Sequence, residues 1–164
     1  MPIIELITRV AAPPDRCFDL SRSVDLHQHS LTASGERAVA GVMHGLIGLG
    51  QGVTWEARHF GVRQRLTSEI TAFDRPRHFR DSMVAGAFRR FDHDHWFTSD
   101  GQGATIMRDA FDFDAPLGIV GRIAEGLFLT GYMRRLLAER NRIVKRVAES
   151  DDWQTYLASD APVG

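Results

Sequence analysis

The chain has 164 residues and a mass of 18.4 kDa, which suits one domain and would crowd two. Hydrophobic residues make up 43% and charged residues 25%, an ordinary globular balance that excludes a wholly disordered or collagen-like chain. With 20 basic against 21 acidic side chains the formal net charge is -1, so there is no electrostatic case for a general nucleic-acid binder.

The opening MPIIELITRV has no basic region ahead of an apolar core, and the longest apolar stretch, 38–50, is short, broken by glycine and interrupted by His44. A single cysteine, Cys17, excludes an intrachain disulfide and a thiolate zinc cluster, and points to a reducing compartment. These features predict a cytoplasmic protein without a membrane segment, with one domain over residues 1–150 and a tail over 151–164.

In chain order, residues 3–10 are β-branched and apolar with Glu5 and Arg9 interleaved, a half-buried strand. Pro13 and Pro14 stop it and suit the first turn of a helix over 14–22, with Asp15 near the positive end of the helix dipole. A second short helix is predicted over 25–30 and a strand over 31–40, followed by a glycine-rich loop read either as an apolar flap over a cavity or as a plain loop. Its Gly48-x-Gly50-x-Gly52 precedes a strand instead of opening a helix, so it offers no helix N-terminus to a pyrophosphate.

From 53 to 113 the pattern is strand after strand. Val53, Trp55, Ala57 and His59 alternate with polar neighbours, as do Gln64, Leu66, Ser68 and Ile70. Phe79, Asp81 and Met83 mark a further strand after Pro76, and another is expected over 88–98. SDGQG at 99–103 is a hairpin signal, and the last strand, 105–113, carries Met107, Asp109 and Phe111 on one face. Beyond Pro116 the period becomes helical over 117–150, with Ile119, Ile123, Leu127, Met133, Leu137 and Val144 on one stripe. The basic second half of this helix, Arg140 included, reads as a solvated face, and the tail beyond Ser150 as a fraying end whose Trp153 and Tyr156 dock back onto the domain.

A sheet of about seven strands has more apolar face than two short helices can cover, so the long helix must lie across it. A curved sheet gripped in this way encloses a space, expected to reach at least about 300 Å³ if it is a ligand pocket. The sharpest local feature is Phe91-Asp92-His93-Asp94-His95-Trp96-Phe97, which on a strand turns Phe91, His93, His95 and Phe97 to one face. Two imidazoles facing a dry cavity beside Asp109, Asp81, His59, Gln64 and Ser68 suit ligand orientation; the same groups also serve simple hydrogen-bond satisfaction or general acid–base chemistry. His-x-His can begin a metal site with His59 or Asp109 as third donor, but spacing alone supplies no converging third ligand, so no metal and no cofactor is expected. His27 and His29 read as partly exposed helix polars, with a place at the pocket entrance as the alternative, and Cys17 reads as a small core residue. No serine-nucleophile elbow, Walker loop, HExxH or Cys-pair motif occurs.

The element order over residues 3–149, with APPDRCFDL, VTWEARHFG, VRQRLTSEI, FDHDHWF and MRDAFDFDAPLGIVGRIAEGLF, resembles the SRPBCC superfamily of START and Bet v 1-like helix-grip proteins. Within it the chain looks like the small bacterial polyketide cyclase/dehydrase-like members. The resemblance implies an α+β fold: a curved antiparallel sheet wrapped on a long C-terminal helix, with two short helices between strands 1 and 2. It also implies a carrier or sensor for a small hydrophobic molecule (a lipid, an isoprenoid or a polyketide-like compound). Two alternatives stay open, because fold alone does not choose a function. One is a cyclase or dehydratase with His93 or His95 as base and Asp109 orienting it; the other is a protein-interaction or chaperone-cofactor module. The expected ligand wall comprises Trp55, His59, Gln64, Leu66, Ser68, Phe79, Asp81 and Met83 on the middle strands. Phe91, His93, His95, Phe97, Met107 and Asp109 continue it on the last two, and Ile123 and Leu127 on the helix.

Overall fold

A computed structural model describes residues 3–115 and 119–158, with the side chains of 119–127 outside the description. Strand β1 (Ile3–Val10) leads into α1 (Pro14–Ser21) and α2 (Val24–Ser30), and then a 3-10 turn (Thr32–Ser34). Six strands follow in a meander: β2 (Arg37–Gly41), β3 (Gly52–His59), β4 (Val62–Asp74), β5 (His78–Ala85), β6 (Arg90–Ser99) and β7 (Thr105–Asp114). Helix α3 (Ile119–Ala148) and the short α4 (Trp153–Leu157) are the last described elements.

All seven strands form one antiparallel sheet in the order β1-β7-β6-β5-β4-β3-β2. The meander accounts for that order, because short turns leave each new strand beside the previous one; β1 closes the far side by pairing with β7. Register shifts at Thr67/Ser68 and Ile70/Ala72 on β4 and at Ala38/Ala40 on β2 accentuate the bend of the sheet. At the tip of β3–β4, Phe60 (φ 52) and Gly61 (φ 75) form a two-residue turn whose twist suits a hairpin. The Phe60 ring leans on Phe128 and Tyr132 of α3, with centroids 5.4 and 4.7 Å away. Gly41 (φ 74) is required for a second reason: a Cβ there would lie 2.3 Å from the Gly52 carbonyl oxygen.

Helices α1 and α2 cover one end of the concave face, and α3 lies beside them. Phe18 of α1 is wholly buried among Phe73, Phe79 and Phe97, each meeting it edge-on at 5.3 to 5.4 Å. A second apolar cluster, Ile4, Phe91, Phe111, Phe113 and Leu137, packs the other end.

Three local expectations need correction. The strand predicted over 31–40 begins only at Arg37, since residues 31–36 cap α2 and make the 3-10 turn through Gly35. The segment after Ser150 does not fray as far as Leu157, although Trp153 and Tyr156 dock back as expected: α4 lies on α1, with Arg16 over the Trp153 ring at 4.3 Å and Tyr156 Oη 2.6 Å from His29 Nδ1. Arg140 is not on a solvated face; it is buried and donates to the Ser21 carbonyl at 2.8 Å. Among the described residues no helix is long and apolar enough to cross a membrane.

Candidate ligand-binding cavity

Between the sheet and α3 lies a cavity of about 210 Å³, smaller than the expectation of at least about 300 Å³. Trp55, His59, Gln64, Leu66, Ser68, Phe79, Asp81, Phe91, His93 and His95 line it, as the alternation of β3 to β6 predicts. Phe97 and Met107 pack instead in the core around Phe18, and Met83 packs against the second cluster. Asp109 lies one layer behind the wall. The side chains of Ile123 and Leu127 are outside the described residues. Of the glycine-rich loop, Ile47 reaches the cavity, while Met43 and Leu49 are exposed.

The polar groups gather on β5, β6 and β7, and strand register explains why. His95 pairs across with Phe79 on one side and Asp109 on the other; His93 pairs with Asp81 and Phe111. Both imidazoles therefore share the inner face with two carboxylates from flanking strands. His95 Nδ1 lies 2.7 Å from Asp109 Oδ1, and His95 Nε2 lies 3.1 Å from Asp81 Oδ1. A carboxylate only accepts, so with both contacts made as hydrogen bonds His95 is an imidazolium. The His93 ring lies against it, tilted by 42° with ring centroids 3.8 Å apart. His93 Nε2 faces Asp109 Oδ1 at 3.3 Å without a hydrogen-bonding geometry, and is buried with no other partner among the described residues.

These contacts divide the two histidines electrostatically. Burial alone lowers the basicity of His95, yet the hydrogen bonds to Asp109 and Asp81 raise its pKa above the ordinary value. For His93, burial and then the neighbouring His95 charge lower the pKa. Burial also works against ionisation of both carboxyls, but their imidazole partners hold Asp81 below the usual range and Asp109 well below it. Behind Asp109, Asn141 Nδ2 donates to Oδ2 at 2.5 Å and Arg140 Nη1 stands 3.8 Å from Oδ1.

Other polar groups line the cavity away from this cluster. His59 Nδ1 hydrogen-bonds Tyr132 Oη at 2.6 Å. His27 lies against Trp55 with ring centroids 4.3 Å apart and meets Glu36 Oε1 at 2.7 Å, so it belongs to the wall, whereas His29 is tied to Tyr156. The Ser21 hydroxyl is buried without a hydrogen-bond partner. Arg140 and Asn141 escaped the sequence reading. The available signal was their place on the α3 stripe: Arg140 follows Leu137 by three residues, and Asn141 precedes Val144 by three.

The sequence profile of the family described as "Polyketide cyclase / dehydrase and lipid transport" matches residues 1–149. The chain belongs to this family. Solved structures of the family's fold agree with its helix-grip architecture. A protein of Thermus thermophilus shares 18% identity over 90% of this chain and 99% of its own, with a TM-score of 0.69. A START superfamily protein from Mycobacterium smegmatis shares 12% over 90% and 97%, with a TM-score of 0.66. Norcoclaurine synthase from Thalictrum flavum, solved in complex with dopamine and hydroxybenzaldehyde, shares 14% over 87% and 86%, with a TM-score of 0.62. No curated protein matches the sequence. In this member of the polyketide cyclase/dehydrase and lipid transport family the cavity combines largely apolar walls with a histidine–aspartate cluster.

Proposed function

We propose that the protein is a cytoplasmic carrier or sensor that binds one small, largely apolar molecule of one or two rings, oriented by a polar group against Asp81 and His93. The observation that carries this reading is the cavity of about 210 Å³, walled by groups such as Trp55, Leu66, Phe91 and Leu137, with Asp81, His93 and His95 gathered at one place on its wall. Its volume is below the roughly 300 Å³ typical of drug-sized pockets and above the roughly 150 Å³ that admits benzene. A long lipid or isoprenoid chain would therefore require the walls to move, while a ring-sized ligand would not. The single-ring molecules in the norcoclaurine synthase complex support this size class. Asp81 stands at the cavity surface and accepts a hydrogen bond from a phenol or enol; apolar burial supplies affinity at about 25 cal/mol per Å².

Calorimetric titration of the metal-free protein with 2-naphthol tests the reading. One equivalent is expected to bind. Asp81→Asn should weaken binding by about tenfold or more through loss of a charged acceptor, and Ala57→Phe should abolish it by filling the cavity. Absence of saturable binding, or binding indifferent to both substitutions, overturns the reading. Native mass spectrometry of the protein from its host would then identify the physiological ligand.

Cyclase or dehydratase chemistry is the second reading, and of its two candidate bases, His93 and His95, one observation favours His93. Both nitrogens of His95 face carboxylates, whereas His93 Nδ1 is 3.8 Å from Asp81 Oδ1 and keeps a lone pair in the Nε2–H tautomer. Conversion of a β-polyketone by the wild type, lost in His93→Gln, would favour it; substrate recovered unchanged would remove it.

A further inference from the structure

We propose that His93 Nδ1, His95 Nε2 and Asp81 Oδ1 form a three-donor site for a divalent first-row transition ion, with its remaining coordination positions open to the cavity. One ligand atom from each of the three residues lies within 4.8 Å of the others. Two donors about 2.1 Å from one ion, at angles between octahedral and tetrahedral, stand about 3.0 to 3.4 Å apart. The His95 Nε2–Asp81 Oδ1 separation of 3.1 Å already fits, whereas His93 Nδ1–Asp81 Oδ1 at 3.8 Å, and the His93 and His95 donors, within 4.8 Å of each other, close on the ion by movement of the His93 ring.

The surroundings are those of a supported metal site. A ligating histidine usually gives its other ring N–H to a carboxylate, which fixes the tautomer and strengthens the donor. Here one oxygen, Asp109 Oδ1, lies behind both rings: 2.7 Å from His95 Nδ1 and 3.3 Å from His93 Nε2. The buried His93 Nε2 has no hydrogen-bond partner, and charge drawn from Nδ1 by an ion would strengthen its attraction to Asp109. Asn141 holds Asp109 in turn, and the three donors sit on adjacent strands of one sheet. The third donor is therefore neither His59, which is tied to Tyr132, nor Asp109, which stands behind the rings.

Two imidazoles and one carboxylate suit zinc, cobalt or ferrous iron better than calcium or magnesium, which prefer all-oxygen cages. To ligate, His95 Nε2 gives up the proton it shares with Asp81, so that with both imidazoles then neutral the two carboxylates carry two negative charges and the Arg140 guanidinium one positive. A divalent ion reverses the sign of this net charge, so the open positions would favour an anionic oxygen donor. A phenolate, enolate or carboxylate on an otherwise apolar molecule fits both the ion and the walls.

The test uses the full chain stripped of metal. Titration with Co2+, followed by visible absorption, and with Zn2+, followed calorimetrically, should reach one ion per chain. Zinc-edge X-ray absorption of the wild type should report two imidazole nitrogens with oxygen donors. Asp109→Asn should weaken binding by about 10- to 100-fold, and His93→Gln or Asp81→Asn by at least that much. His44→Gln, which alters an exposed histidine beside Asp25, should change nothing. No bound ion, a first shell without imidazole, or equal affinity in His93→Gln overturns the site; the X-ray measurement decides even if a variant fails to fold. Since 2-naphthol binding is measured without metal, failure here leaves the ligand-binding reading standing, and the reverse also holds.

Discussion

Asn141 Nδ2 donates to Asp109 Oδ2 at 2.5 Å and so joins α3 to β7 directly behind the two imidazoles. Both residues are buried, so neither can exchange this contact for water. Asn141→Leu should destabilise the fold by about 2–3 kcal/mol, the cost of leaving a buried charged oxygen unpaired. Urea unfolding measures it. In a double-mutant cycle with Asp109→Asn the coupling should exceed about 1 kcal/mol; additive effects would mean that the contact is not made in solution.

Asp19 on α1 is the second buried carboxylate with a structural task. Its oxygens accept from Arg75 Nε and Nη2 at 3.0 and 2.5 Å and from Arg22 Nε at 2.9 Å, tying the helix to the turn after β4. Burial works against the charge, but the two guanidinium groups lower its pKa below the ordinary 3.8. A carboxyl with a lowered native pKa contributes stability that is complete above its unfolded value and is lost as pH falls through the native one. Wild-type stability should therefore drop below about pH 4, and Asp19→Asn should flatten that drop while costing about 1–3 kcal/mol at neutral pH. Thermal melts of both proteins between pH 7 and pH 3 provide the check.

Phe18 meets three aromatic rings from β4, β5 and β6, so it fixes how α1 seals one end of the concave face. Phe18→Ala should cost about 3–5 kcal/mol, the range for removing a fully buried ring. Because Phe79 is shared between this cluster and the stacking contact with His95 at 4.3 Å, the variant should also weaken 2-naphthol binding. A stability loss below about 1 kcal/mol would show that α1 does not depend on this ring.

The meander was legible because alternation is a local property. Val53 to His59 and Phe91 to Phe97 each declare an inner face, and the Gly101 turn sets where two strands reverse. The site was legible only in part. His93 and His95 stand out in their own strand, but that Asp81 and Asp109 grip opposite nitrogens of one ring depends on register across three strands. Residues 31–36 lack alternation, so nothing local separates a strand from the observed cap and 3-10 turn. Arg140 and Asn141 look solvated among basic neighbours; their burial follows from the packing of α3 on β1 and α1, which no short window contains.

Cys17 gives a direct probe of that packing. It is fully buried on α1, its Sγ 3.8 Å from the Ala12 carbonyl oxygen, and burial pushes its pKa up to about 11. At pH 8 only on the order of a thousandth of such a thiol is thiolate, the form that reacts. The native protein should therefore resist a disulfide-exchange reagent over hours and react at once in denaturant. Slow native labelling then reports opening of α1 away from Phe73, Phe79 and Phe97, and Phe18→Ala should accelerate it. Rapid labelling of the wild type under native conditions would show that the helix does not stay docked over the sheet.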